Sequence, residues 1–125
     1  MKPLPVLLLS VSISTLMTVE GKIDYNRDVR PILAGKCYAC HGPDKETRKA
    51  KLRLDDRANA LKKEAFVPGK PDESELVYRV LTKDSDEVMP PPESKDFLTA
   101  EQKDILRQWV KEGAEYSVHW AFVPP

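Results

Sequence analysis

The chain has 125 residues, which suffices for one small domain but not for two of ordinary size. Its 20 basic residues balance its 20 acidic residues, so no positive surplus exists to neutralise phosphates, which argues against a nucleic-acid-binding protein. Apolar residues make up 41% of the chain and 11 residues are prolines, so a core of this size needs support from a disulfide, a metal or a cofactor.

The first 21 residues have the features of an export signal. Lys2 is followed by an apolar run from Leu4 to Met17. As a helix, this run would span about 21 Å, which is shorter than a hydrocarbon core of about 30 Å. We therefore predict a signal peptide over residues 1–21, with an uncleaved anchor as the alternative. The predicted location is the periplasm or an equivalent space outside the cytoplasm, with membrane contact only if the leader is retained.

The first helix of the domain is predicted to begin between Asn26 and Arg30. Either Asn26 or Asp28 is suited to cap it, and the apolar residues recur at helical spacing as far as Cys40. Both cysteine side chains are therefore expected on the same face of this helix as its apolar residues.

The end of this helix holds the most informative motif of the chain, CYACH. It contains the only two cysteines, Cys37 and Cys40, and one of the two histidines, His41. The pattern C-x-x-C-H is typical of covalent haem attachment. Three residues apart on a helical turn, the two sulfurs can each form a thioether to one vinyl group, while His41 can bind the iron as proximal ligand. No second motif occurs, so we predict one haem c per chain.

Three other uses of the cysteines are weaker alternatives. A structural disulfide across two intervening residues would close too short a loop to stabilise much chain. A thioredoxin-like redox pair requires a βαβ setting, whereas here the helical pattern precedes the motif. A zinc site would need Cys37, Cys40, His41 and His119, but Cys40 and His41 are adjacent and a second spaced pair of ligands is missing.

The loop after the motif is basic, and its leucines alternate with charged residues. Leu52 and Leu54 are expected to place one face of an extended segment on the ring. Four cations of this loop are candidates to pair with the haem propionates, although a solvated basic loop is an equally good interpretation. They are Arg48, Lys49, Lys51 and Arg53.

Three further helices are predicted. A weak pattern favours a short helix over residues 56–64, and a clearer stripe predicts a third helix over 72–81, capped by Asp72. The last helix begins at a capping box of Thr99 and Gln102 and ends at Gly113. Its apolar face contains Ile105, Leu106, Trp109 and Val110, and Trp109 is expected in the core rather than against a ring.

Met89 is the predicted distal ligand of the iron. Met1 and Met17 lie in the leader, so Met89 is the only methionine of the remaining domain. It precedes three prolines, which form a stiff extended segment able to hold a thioether in place. Methionine paired with histidine is a common axial set in electron-transfer haems. His119, water or an open site are the alternatives for this position, and a core-filling role is the alternative for Met89 itself.

Several stretches together resemble the planctomycete-type cytochrome c domain. The resemblance extends from about Ile23 to the last residue and implies a class I-like, all-α cytochrome c fold around one covalently bound haem. It also implies thioethers at Cys37 and Cys40, proximal His41 and distal Met89. The stretches are DYNRDVRPILAGKCYACHGPDKETRKAKLRLD, VPGKPDESEL, MPPPES, LTAEQKDILRQWVKEGA and HWAFVPP.

These observations predict three regions: residues 1–21 as the leader, 22–117 as the cytochrome c domain, and 118–125 as a tail leading to a missing domain. Members of the family usually carry this domain ahead of further domains in a larger exported protein. The expected partner is therefore an adjacent domain or a separate redox protein. The predicted function is single-electron transfer without catalysis. The alternatives are a haem-based sensor or ligand-binding domain, and, less favoured, a zinc or disulfide structural module.

Overall fold

The computed structural model describes residues 1–5 and 22–118. Within these ranges every regular element is a helix or a helical turn, which confirms the predicted all-α fold class. Most of the predicted signal peptide and nearly all of the predicted tail, including His119, lie outside the described residues. In the described ranges, no helix has both the length and the apolar character needed to cross a membrane.

The described part of the domain contains five α-helices, one π-helical turn and two 3₁₀ turns. The helices are α1 (Arg30–Lys36), α2 (Tyr38–His41), α3 (Arg57–Lys62), α4 (Glu75–Leu81) and α5 (Ala100–Lys111). A π-helical turn (Tyr25–Val29) precedes α1, and 3₁₀ turns cover Pro71–Glu73 and Pro92–Ser94.

The cap predicted for the first helix is wrong. Asp24, and not Asn26 or Asp28, caps the chain here, because its carboxylate accepts a hydrogen bond from the backbone N–H of Arg27 at 2.8 Å. The Asn26 side chain instead donates to the carbonyl of Val118 at 2.9 Å. The Asp28 carboxylate accepts from the Asp24 N–H at 2.8 Å. Asn26 is thus engaged by the distant C-terminal segment and Asp28 by its neighbours, which leaves the capping position to Asp24.

The predicted first helix is also divided into three segments. Pro31 has no N–H group and therefore cannot donate to the preceding turn. Just before it, the N–H of Arg30 donates to the carbonyl of Tyr25, five residues back, which closes the π-helical turn. A second break falls at Cys37, whose φ of −124° separates α1 from α2. The C-x-x-C-H motif thus begins at a helix junction rather than in the middle of a helix.

The start of α4 also differs from the prediction. Asp72 lies in the 3₁₀ turn Pro71–Glu73, and α4 begins only after Ser74. The Ser74 side chain, 2% exposed, does not cap the helix, because its hydroxyl bonds the backbone of Val67 and Lys70. The short helix predicted over residues 56–64 is confirmed as α3, with Asp56 accepting from the N–H of Asn59.

Helix α5 agrees with the prediction at both ends. The Thr99 hydroxyl accepts from the Gln102 N–H at 3.1 Å, and the Gln102 side chain accepts from the Thr99 N–H at 2.9 Å. Gly113 follows the helix with φ of +112°, a conformation that glycine adopts without strain. The capping box and the terminating glycine are both local features, which is why the sequence predicts them.

We expect Thr99→Ala to lower the free energy of unfolding by about 1 kcal/mol, because it leaves the Gln102 N–H without its acceptor. Thr99→Ser keeps the hydroxyl and should remain within about 0.5 kcal/mol of the wild type. Denaturant unfolding followed by far-ultraviolet circular dichroism measures both variants. Equal losses in the two would show that the capping hydroxyl is not responsible.

The core is centred on an aromatic cluster, where α5 packs against α4 and the π-helical turn. We define this cluster as Tyr25, Phe66, Trp109 and Tyr116. The rings of Tyr25 and Tyr116 stack with centroids 4.7 Å apart, and those of Phe66 and Trp109 meet edge to face at 5.4 Å. Trp109 is 2% exposed and donates its indole N–H to the carbonyl of Glu115 at 3.0 Å. The prediction that Trp109 is a core residue is therefore confirmed.

Candidate functional site

A largely apolar cavity of about 320 Å³ lies beside the C-x-x-C-H motif. Its volume falls within the range of about 300–1,000 Å³ that is typical of small-molecule and cofactor sites. Helices α1, α2, α4 and α5 and the segments around Leu52 and Met89 contribute to its walls. The lining residues are Lys36, Cys37, Ala39, Cys40, His41, Ala50, Leu52, Leu54, Ala65, Glu75, Leu76, Arg79, Val80, Met89, Pro90, Pro91, Ser94, Asp96 and Leu106.

The four residues singled out from the sequence all line this one cavity. Cys37, Cys40 and His41 lie on and just before α2, whereas Met89 comes from a loop far along the chain. The fold thus brings a distant thioether to the same space as the two thiols and the imidazole. The alternative distal residue, His119, lies outside the described residues.

The two cysteines are free thiols with different environments. Cys37 is half-buried and packs against the core, while Cys40 is exposed. Burial, with a smaller effect from neighbouring Cys40, raises the pKa of the Cys37 thiol to about 12. Cys37 is therefore a protonated, apolar part of the wall, and Cys40 lies at the solvent-facing margin.

His41 is held in an orientation suited to a metal ligand. Its Nδ1 lies 3.2 Å from the carbonyl oxygen of Lys49. Burial lowers the pKa of the His41 imidazole, and the bond to Lys49 only partly opposes this shift, so the neutral ring is favoured. With Nδ1–H donating to that carbonyl, Nε2 keeps its lone pair, which is the arrangement that second-shell partners impose on metal-binding histidines.

The loop that follows folds back and fixes the backbone of the motif. The N–H of Lys49 donates to the carbonyl of Cys40 at 2.6 Å, and the N–H of Leu54 donates to the carbonyl of His41 at 2.8 Å. Gly42 permits this return, because any Cβ at that position would clash with the carbonyl oxygen of Tyr38. A glycine directly after the motif is therefore a steric requirement that sequence reasoning had passed over.

Met89 is positioned by the end of α4. Its backbone N–H donates to the carbonyl of Arg79 at 2.9 Å, and its side chain is half-buried. Pro90 and Pro91 follow directly and also line the cavity. The proline segment that was predicted to hold the thioether thus forms part of the same wall.

The charged residues at the cavity are not the predicted ones. None of the four cations of the basic loop lines it: the Arg48 side chain donates to the carbonyls of Gly42 and Pro43, and Arg53 pairs with Asp55 at 2.7 Å. The cations that do line the cavity are Lys36 and Arg79. The predicted placement of Leu52 and Leu54 on one shared face agrees with the structure, since both line the cavity.

Sequence reasoning also missed the apolar wall provided by α4 and α5. Leu76 and Val80 are both buried on α4, and Leu106 is fully buried on α5. Their helical spacing indicated a buried stripe but not which part of the core the stripe faces. Only the packing of the two helices shows that these three residues line the cavity.

The residues present fit a covalently attached haem. The cavity provides two thiols, an imidazole with a free nitrogen and a thioether within walls that are otherwise mostly apolar, which is the donor set that c-type haems use. In the described ranges, no group of three or more His, Cys, Asp or Glu side chains is placed to hold a metal ion.

The all-α fold and the residues that line the cavity are compatible with the small helical c-type cytochromes. Residues 37–93 match the family model described as Planctomycete cytochrome C. The match begins at Cys37, includes Met89 and supports a planctomycete-type cytochrome c domain over these residues. At this level the family implies covalent haem c and electron transfer. Searches of curated proteins and of solved structures gave no match.

Proposed function

We propose that the chain is an exported electron carrier that holds one haem c per chain. In this proposal, Cys37 and Cys40 form the two thioethers, His41 is the proximal ligand and Met89 is the distal ligand. The observation that carries the proposal is the convergence of these four side chains on a single apolar cavity. Outside residues 1–21 the sequence has only two cysteines and one methionine. All three line the same cavity, although Met89 is far from the cysteines in sequence.

The remaining residues of the cavity suit single-electron transfer. When bound, the haem supplies the Fe(III)/Fe(II) couple. Methionine as distal ligand raises the reduction potential of such a site. The leucines and prolines of the wall exclude water, while Ala39, Cys40 and Ala50 are exposed where the cavity opens. That opening offers a route for electrons to reach a partner without any substrate entering.

The proposed location and redox partner of the carrier rest on the sequence. We propose that residues 1–21 direct export and that the domain acts outside the cytoplasm, attached to a membrane only if this leader is retained. Its redox partner is an adjacent domain of a larger protein or a separate redox protein. The domain transfers electrons and catalyses no reaction of its own.

Replacing Met89 with leucine tests the distal ligand. Met89→Leu conserves volume, so the cavity stays filled while the sulfur is lost. We expect the visible spectrum of the ferric protein to change and the reduction potential to fall by ~0.1 V or more, since axial ligands set haem potentials over about 0.8 V. Spectroscopy and a redox titration of protein matured in a host that attaches haem c measure both.

Two further variants make the outcome decisive. Met89→His supplies a second imidazole and should restore a low-spin spectrum at a lower potential than the wild type. An unchanged spectrum and potential in Met89→Leu would overturn the assignment of Met89. In that case His119→Ala decides between the remaining possibilities, because its spectrum changes only if His119 binds the iron.

The sensor alternative is tested on the unmodified protein. A sensor or ligand-binding domain with an open distal site takes up carbon monoxide readily when reduced. A carrier whose sixth position is held by Met89 should bind it slowly and weakly, and Met89→Leu should bind it at least tenfold faster. Rapid uptake by the wild type would favour the sensor.

A further inference from the structure

We infer that Arg79 is a positioning residue for Met89: its guanidinium fastens the loop before Met89 to α4 and so favours binding of the thioether to the iron. The inference rests on the proposed role of Met89 as distal ligand. Arg79 does not itself supply an atom to the iron. It acts through the segment that carries Met89.

The Arg79 side chain bridges its own helix and the loop. Its Nε donates to the carboxylate of Glu75 at 2.8 Å, one turn earlier on α4. Its Nη1 donates to the backbone carbonyl of Glu87 at 3.3 Å. Because Glu87 is only two residues before Met89, this bond fixes the backbone immediately ahead of the thioether.

The backbone of Arg79 contacts the same segment a second time. Its carbonyl accepts from the N–H of Met89 itself at 2.9 Å. The loop between the two residues is compact, because the N–H groups of Glu87 and Val88 both donate to the carbonyl of Asp84. A compact turn attached to α4 at Glu87 and at Met89 leaves the methionine little freedom to leave the cavity.

The planar fork of arginine is needed for this double attachment. Arginine presents several N–H donors in a fixed plane, whereas lysine has one compact ammonium group. Glu75 lies four residues before Arg79 on α4, in the orientation that favours such a pair. The carboxylate thus holds one edge of the guanidinium while the opposite edge reaches the carbonyl of Glu87. Lysine can satisfy only one of these partners well.

Other contacts of the loop do not replace Arg79. The hydroxyl of Tyr78 hydrogen-bonds the side-chain carboxylate of Glu87, but that bond leaves the Glu87 backbone carbonyl without a donor. Tyr78 is exposed, whereas Arg79 lines the cavity next to Met89. The guanidinium is therefore the side chain that connects the wall of the cavity with the loop backbone.

The experiment measures competition between Met89 and added imidazole for the ferric haem. Imidazole must displace the distal thioether, so its apparent affinity rises when the loop holds Met89 less firmly. We expect Arg79→Gln to bind imidazole about three- to tenfold more tightly than the wild type, because it loses both charge-assisted, partly exposed hydrogen bonds of the guanidinium, the one to Glu75 and the one to the Glu87 carbonyl. Arg79→Lys should show a smaller rise of about twofold, since it keeps one of the two bonds.

Arg27→Gln is the matched control. Arg27 is also paired with a carboxylate, that of Asp28, but it is 69% exposed and does not line the cavity. The imidazole affinity of the Arg27→Gln variant should equal that of the wild type. Denaturant unfolding of every variant separates positioning from general stability. A lower free energy of unfolding in Arg79→Gln with wild-type imidazole affinity would overturn the inference.

Met89→Leu separates this inference from the proposed function. If that variant binds imidazole much more tightly while Arg79→Gln behaves as the wild type, only the positioning role of Arg79 fails. If Met89→Leu binds imidazole no more tightly than the wild type, Met89 is not the distal ligand and both proposals fail. Should Arg79→Gln not fold, Arg79→Lys decides, and wild-type affinity in that variant would overturn the inference.

Discussion

Replacing both Cys37 and Cys40 with serine is expected to abolish covalent haem attachment. A hydroxyl does not form the thioether that links the ring to the chain, so acid–acetone extraction should leave the double variant colourless. Intact mass spectrometry should then return the mass of the polypeptide alone. The wild type, matured in the same host, should keep its colour and carry the added mass of one haem.

The double variant should also lose most of its stability. Cavities left by core truncation cost roughly 24 cal/mol per Å³, which for 320 Å³ gives about 8 kcal/mol as an upper limit for a cavity open to solvent. Small domains are stable by only about 5–15 kcal/mol. We therefore expect weak helical circular dichroism and a broad thermal transition.

Two comparisons make this prediction decisive. Each single serine variant keeps one thioether and should retain haem, and Met89→Leu should retain both thioethers and full colour. If the double variant still carried haem after acid–acetone extraction, attachment through the two sulfurs would be disproved. A cooperatively folded, colourless double variant would show that the domain does not depend on the occupant of its cavity.

The features that are easiest to recognise from the sequence are those in which a few neighbouring residues determine the local chemistry. The C-x-x-C-H motif is local, because five consecutive residues contain both thiols and the imidazole. The start of α5 is equally local, since Thr99 and Gln102 satisfy each other's backbone N–H groups. Such features depend little on the rest of the fold, so their recognition needs no knowledge of it.

The features that the sequence did not predict depend on contacts outside the helix to which the residue was assigned. Asn26 has the right chemistry for a helix cap, but its side chain bonds the carbonyl of Val118, and Asp24 takes the capping position. Ser74, next to the predicted cap Asp72, bonds the backbone of Val67 and Lys70. Local propensity predicts which residues are able to cap, and tertiary contacts decide which of them does so.

The residues of the cavity wall also show the difference between what local pattern predicts and what tertiary contacts decide. Leu76 and Val80 were recognised as part of a buried stripe, yet periodicity does not say whether a stripe faces another helix or a cofactor. The role of Arg79 could not be predicted from the sequence, because it depends on a hydrogen bond from its guanidinium on α4 to the backbone carbonyl of Glu87 in the following loop. The clustering of positive charge instead suggested the basic loop as the source of cations at the site. In the structure, the Arg48 side chain of that loop donates to the carbonyls of Gly42 and Pro43.

Truncating Trp109 is expected to destabilise the domain strongly without changing the haem site. Trp109→Ala removes the ring that contacts the other three members of the aromatic cluster, with centroids 5.4–6.0 Å away. Large-to-small changes of this kind cost about 3–5 kcal/mol. Because Trp109 does not line the cavity, the visible spectrum and the reduction potential of the folded variant should equal those of the wild type.

Two variants on α5 separate packing from the cofactor site. Trp109→Phe keeps an aromatic ring but loses part of the ring volume and the bond to the Glu115 carbonyl, so it should cost less than the alanine variant, about 1–2 kcal/mol. Leu106→Ala, one turn earlier, removes a fully buried residue that does line the cavity, and it should both destabilise the domain and shift the spectrum. Denaturant unfolding and spectroscopy of the three variants test the division. A spectral shift in Trp109→Ala as large as that in Leu106→Ala would show that the aromatic cluster and the haem cavity are one structural unit.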